Sequence, residues 1–222
     1  LKIKNFRSIP EADLEFGKVN LFIGPNGGGK SNLLEAVGVV SAALGRSVGP
    51  EDLNLRGVRL SLPRLFKATF KNRKMPKHLS LTAVTESAEY AFNLTASERS
   101  ASLTFKQEVI RENGVKLLGR SPRGYKIHRP KKSFTEEISE IPIKPERSVY
   151  DSAREFVNIS SSTEGDFERL SKYAIYAPQT AILRGMATDP RAVEPLGLTG
   201  GRLAAALEEV LRKYRADDPL RD

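Results

Sequence analysis

The chain of 222 residues has no cysteine, which excludes disulfide staples and thiolate zinc sites. Its two histidines, His78 and His128, lie far apart in basic stretches without an acidic pattern beside them, so a histidine metal centre or catalytic triad lacks its parts. Both are expected at the surface. No run of 18 apolar residues is present, which excludes a membrane-spanning helix and a membrane partner of that kind. No leader precedes the first motif, and the expected location is cytoplasmic. Residue 1 is leucine rather than methionine, so a piece of a longer chain is expected. What is present is ordinary for a soluble domain: 39% hydrophobic and 28% charged residues, with a net charge of +9 that points to a polyanionic partner.

Hydrophobic periodicity divides the chain into 1–57, 58–128 and 129–222. Leu1 and Ile3, then Ala12, Leu14 and Phe16, alternate as two strands joined by a turn at Ser8, Ile9 and Pro10. Val19, Leu21, Phe22 and Ile23 form a denser run, which predicts a strand covered on both faces. Leu33, Val37, Val40 and Leu44 then change to helical spacing, with Gly45 as the stop. From 58 to 128 the period returns to two, and Asn113-Gly114 carries the signal of a tight hairpin, so an antiparallel sheet of four to six strands is expected, beginning at Val58. Residues 129–166 read as loop with one short helix near Ser152–Phe156. A last strand is expected before Pro178, and Leu203, Leu207, Val210 and Leu211 define a final helix behind an N-cap region at Thr199.

Between the dense run and the first helix stands Gly24-Pro25-Asn26-Gly27-Gly28-Gly29-Lys30-Ser31, which satisfies G-x-x-x-x-G-K-[ST] in the strand–loop–helix context that pattern requires. Polyphosphate recognition needs many donors at short range. A backbone without Cβ atoms lets the amides of Gly27, Gly28, Gly29 and Lys30 face one concavity. The helix start adds its positive dipole end, Lys30 a full charge for the β- and γ-phosphates, Ser31 a hydroxyl for Mg²⁺, and Asn32 a backbone donor for the α-phosphate. ATP with Mg²⁺ is the implied ligand, Lys30 the catalytic candidate, and the fold class an α/β P-loop NTPase. No apolar run after residue 31 ends in the acid that hydrolysis needs.

The stretch "LKIKNFRSIPEADLEF" followed by "VNLFIGPNGGGKSNLLEAV" resembles the start of ABC-type ATPases of the SMC and RecF class, with N-F-R-S on the first strand. The C-terminal part is similar to single-chain AAA-type members of that group, including anti-phage defence proteins and overcoming-lysogenisation-defect nucleases. The resemblance implies lobe one of an ATPase head with an antiparallel β-subdomain. It implies homodimerisation around nucleotide, a DNA-directed activity in defence or repair, and a nuclease or other effector as domain or subunit. It implies that Arg7 contacts phosphate and that Gln179, as a Q-loop, holds Mg²⁺ or water. The alternative for Gln179 is an exposed residue at a proline turn. Leu198–Arg202 (L-T-G-G-R) is similar to the L-S-G-G-Q signature, with a glycine turn before a helix as the alternative.

Two basic stretches, one with Lys67, Lys71, Arg73, Lys74, Lys77 and His78, the other with Arg120, Arg123, Lys126, Arg129, Lys131, Lys132 and Tyr125, define a candidate DNA face or simply solvated strand edges. The alternative to an ATPase is a non-catalytic DNA-binding or assembly module in which ATP is a structural ligand. A P-loop kinase suits the β-rich insertion poorly.

Overall fold

A computed structural model describes residues 1–71, 74–96, 102–130, 135–137, 141–190 and 196–213. The chain forms two compact units, Leu1–Tyr173 and Ala174–Asp222.

The first unit is built on one eight-stranded antiparallel sheet. Its strands are β1 (Lys2–Phe6), β2 (Ile9–Asp13), β3 (Leu79–Val84), β4 (Ala88–Thr95), β5 (Thr104–Glu112), β6 (Val115–Ser121), β7 (Gly124–Pro130) and β8 (Thr135–Glu137), in the order β2-β1-β3-β4-β5-β6-β7-β8. Leu79, Leu81, Ala83 and Ala88, Tyr90, Phe92, Leu94 alternate inward on β3 and β4, as the period of two requires. Asn113 and Gly114 close the β5–β6 hairpin with φ of 48° and 79°, the left-handed pair that matches strand twist.

Helix α1 (Lys30–Gly45) packs beside this sheet, followed by α2 (Pro50–Leu55). From Ala36 onward α1 is buried almost all round, because α4 (Ser161–Ser171) covers it as well. The buried Ser41 hydroxyl lies 2.9 Å from the carbonyls of both Ser171 and Tyr173, and Tyr173 Oη donates back to Leu34 O at 3.3 Å. Burial pushes the Tyr173 phenol up to about 12.

A polar hub ties the sheet to the helices. Glu108 on β5 is buried and accepts from Tyr90 Oη at 2.8 Å, Ser148 Oγ at 3.0 Å, Val149 N at 2.9 Å and Arg120 Nη2 at 3.1 Å. Ser148 caps α3 (Val149–Ala153), so the carboxylate also sits at that helix start. Burial raises the Glu108 carboxyl above its ordinary range, against the opposing pull of Arg120 and the donors.

Several expectations are corrected. Residues 18–24 form no strand: Val19, Leu21 and Ile23 are 91%, 82% and 86% exposed, while Phe22 turns back against Phe16 at 6.2 Å. A strand needs a neighbour to take its backbone hydrogen bonds, and none runs beside this stretch among the described residues. Residues 58–62 are also not a strand. Pro63 opens a 3₁₀ turn, Pro63–Phe66, and it is Lys67 that bridges to Phe6 at the end of β1. The first turn is at Arg7 and Ser8, with Ile9 and Pro10 already in β2 and Leu14 and Phe16 beyond it.

The loop expected at 129–166 contains α3 and the N-terminal part of α4, which Ser160 caps through Thr163 N and Phe167 anchors in the core. The short helix expected near Ser152–Phe156 is the end of α3 and a 3₁₀ turn, Arg154–Phe156. His128 is buried rather than at the surface, and His78 is half-buried. In the second unit, 174–177 is extended but not a strand. Ala177 N and Gln179 N donate to Leu198 O and Thr199 O, and α5 (Thr180–Leu183) begins behind its N-cap Gln179, one residue after Pro178. The final helix is α6 (Leu203–Lys213), with Leu207, Val210 and Leu211 exposed.

Candidate functional site

The glycine loop opens at the start of α1. Gly27 and Gly29 have φ of 81° and 87°, a region where a side chain is strained, and Gly29 is the residue from which the helix departs. A Cβ on Gly27 would meet nothing within 4 Å, whereas one on Gly29 would stand 3.2 Å from Ser8 Oγ and one on Gly28 3.0 Å from Pro25 O. The loop is therefore bare toward solvent and tight toward its own backbone and the β1–β2 turn. Gly28 N closes a turn on Pro25 O at 3.1 Å, while Gly27 N and Gly29 N have no backbone partner among the described residues.

No acidic residue lies in the first turn of α1, so the positive end of its dipole is uncompensated. Lys30 Nζ folds over the loop and donates to Gly24 O and Pro25 O, both at 2.8 Å, and has no acidic partner among the described residues. A cleft of about 350 Å³ lies over these atoms, lined by Ser8, Asn26 through Asn32 and Arg59. A second cleft, about 290 Å³, shares Ser8 and Asn32 with it and extends along Arg7, Leu65, Lys67, Thr69 and Phe70.

Arg7 is held between these clefts and the core. Its backbone is left-handed, at φ 48°, and its guanidinium lies 4.3 Å from the Phe66 ring centroid. It pairs with Glu35 and donates to Arg59 O at 2.7 Å. Burial pushes this guanidinium below its ordinary value and Glu35 opposes the shift. Arg59 also pairs with Glu35 and donates to Asn32 Oδ1 at 2.9 Å, and Asn32 Nδ2 donates to Ser8 Oγ at 2.7 Å. The structure thus brings Arg7, Ser8, the glycine loop, Lys30, Ser31 and Asn32 together and adds Glu35 and Arg59, which the sequence pattern does not mark.

Gln179 belongs to the second unit, where its exposed side chain precedes α5. In that unit Asp189 holds the L-T-G-G-R loop. Thr199 Oγ1 donates to Asp189 Oδ1, and Gly201 N donates to Oδ2 at 2.9 Å. Cβ atoms on Gly197 and Gly201 would each come within 2.3 Å of Asp189. That is a glycine turn wrapped on a carboxylate, with its threonine buried.

Among the described residues, the basic stretches divide into buried and exposed members. Lys67 is buried and donates to Ala96 O at 3.1 Å, Arg120 is buried on Glu108, and Tyr125 is buried. Lys71, Lys74, Lys77 and Arg123 are exposed. Arg73, Lys131 and Lys132 lie outside the described residues, as does the side chain of Arg129. No cluster of metal-ligating residues occurs among the described residues, and none of their helices is long and apolar enough to cross a membrane.

A mixed α/β unit with an antiparallel sheet, and a bare loop at the head of its longest helix, define the class. Residues 1–192 match the AAA domain family, and the chain belongs to it. A 48-residue stretch is 58% identical to the DNA replication and repair protein RecF of Magnetococcus marinus (strain ATCC BAA-1437 / JCM 17883 / MC-1), covering 21% of this chain and 12% of that relative. No solved structure matches the chain.

Proposed function

We propose that Gly24–Asn32 is a Walker A P-loop that holds the triphosphate of ATP with Mg²⁺, and that the chain is the nucleotide-binding head of a RecF-like ATPase acting on DNA. The observation that carries this reading is Lys30. Its ammonium rests on two loop carbonyls at the mouth of a left-handed glycine loop instead of on a carboxylate, so a phosphate can claim it without breaking an ion pair. The cleft fits a polyphosphate by its open face at Gly27, its acid-free helix start and its volume.

In this reading the amides of Gly27, Gly29 and Lys30 orient the phosphates, and Lys30 exchanges Gly24 O and Pro25 O for phosphate oxygens. The exposed Ser31 hydroxyl is the ligand this unit offers to Mg²⁺, which would neutralise charge between phosphate groups. Gln179 as a further Mg²⁺ or water ligand, Arg7 as a phosphate neighbour, pairing of two heads around nucleotide, and a defence or repair role with a nuclease or other effector rest on the family resemblance. The DNA-directed role also has the support of the RecF relative's name.

A second reading, in which ATP is a structural ligand of a non-catalytic module, is favoured by one feature: among the described residues no carboxylate lines the cleft to activate water. Equilibrium binding of ATP with Mg²⁺ tests the shared claim, and Lys30→Ala is expected to weaken it by at least about tenfold. Unchanged affinity in that variant refutes the Walker A assignment. Phosphate release by the full-length protein, present or absent, decides between the two readings.

A further inference from the structure

The geometry points to Arg59 as a phosphate-binding residue stored on Glu35, released by nucleotide and aimed by Arg7; this rests on the nucleotide reading above. Behind the loop lies a charge imbalance. Glu35 is 2% exposed and is shared by two guanidinium groups, Arg7 and Arg59. A buried carboxylate with a single partner would be costly to strip. Here one arginine can leave and the other still neutralises it.

The two arginines are not equivalent in which can leave. The Arg7 side chain is 12% exposed, stacked on Phe66 and fixed by a left-handed backbone, so its departure would open the core. The Arg59 side chain is 63% exposed and lines the same cleft as Gly27, Gly28, Gly29, Lys30 and Ser31. Its present partners, Glu35 and Asn32 Oδ1, lie on the first turns of α1, where Asn32 lines that cleft and Glu35 is buried behind it. A polyphosphate carries more acceptor oxygens and more charge than one carboxylate already shared, and the fork of Arg59 suits two phosphate oxygens at once.

Arg7 supplies the aim. It donates to Arg59 O at 2.7 Å while its own amide donates to Phe66 O at 2.9 Å, so it fixes the backbone on both sides of the intervening segment. Arg7 is then a positioning residue, and Arg59 the group that touches ligand. Release of Arg59 also returns Asn32 to Ser8 alone, which couples occupancy of the loop to the β1–β2 turn.

The test compares ATP and AMP binding, each with Mg²⁺, in the unaltered chain, Arg59→Ala, Arg59→Lys and Lys30→Ala. Arg59→Ala is expected to weaken ATP about tenfold and AMP less than about twofold, with Arg59→Lys recovering part of the loss. A structural role for Arg59 would shift both ligands alike. As a direct readout, the Arg59 Nε resonance in ¹⁵N-arginine-labelled protein, assigned by its loss in Arg59→Lys, is expected to move on adding ATP and not AMP. If Lys30→Ala loses ATP while Arg59→Ala keeps it and the resonance stays fixed, the Arg59 assignment is overturned and the loop stands. If the unaltered chain binds no ATP, both fall together.

Discussion

The Glu108 carboxylate and the Arg120 guanidinium meet at 3.1 Å with 1% and 6% of their side chains exposed, at the point where three strands of the sheet join the start of α3. Removing the acid strands a buried cation and leaves Tyr90, Ser148 and Val149 N without their acceptor. Glu108→Ala is expected to cost about 3–5 kcal/mol, read by urea denaturation. Glu108→Gln keeps the shape and some donors' acceptor and should cost less. Equal stability of Glu108→Ala and the unaltered chain would show that the hub carries no weight.

The glycines of the loop differ in what they tolerate. Gly27→Ala and Gly29→Ala both place a side chain at positive φ, at about 1–2 kcal/mol each. Only Gly29→Ala also crowds Ser8 Oγ in the β1–β2 turn. Its thermal midpoint is therefore expected to fall further than that of Gly27→Ala, and a reversed order would contradict the packing of the loop against the β1–β2 turn.

Tyr173 gives a pH signature. Its folded value, about 12, stands above the ordinary 10 because burial disfavours the phenolate. The stability it contributes is whole below pH 10 and is lost as pH rises from 10 through 12. Tyr173→Phe should flatten the alkaline fall of stability in that window. Tyrosinate absorbance should also lose a late-titrating component.

Asp189 and the L-T-G-G-R turn make a test inside the second unit. Asp189→Ala removes the acceptor of Thr199 Oγ1 and Gly201 N, and hydrogen exchange over 196–206 is expected to accelerate about tenfold or more, with no change over the glycine loop at 24–32. If exchange at Gly201 is unaltered, the carboxylate does not hold the turn.

Local pattern carried part of this architecture. Helix α1 is legible because Leu33, Val37, Val40 and Leu44 repeat at helical spacing, and the β5–β6 hairpin because Asn113-Gly114 admits few other conformations. Helix α4 is not, since Ser161-Ser162-Thr163-Glu164-Gly165-Asp166 has the composition of a loop and only Thr163 and Phe167 point inward. The glycine loop could be read residue by residue. Glu35 and Arg59 could not, because their meeting depends on α2 turning the chain back and on Arg7 gripping a carbonyl 52 residues away. In 18–24 the apolar spacing suggested burial, but spacing says nothing about whether a neighbouring strand is there.

That same stretch governs how the isolated polypeptide will behave on the bench. Val19, Leu21 and Ile23 present an oily comb on a stretch outside the sheet, a ready template for edge-to-edge sticking between molecules. Dilute, cold handling and a charged replacement at Leu21 are the remedies this surface calls for, ahead of any change to the nucleotide cleft.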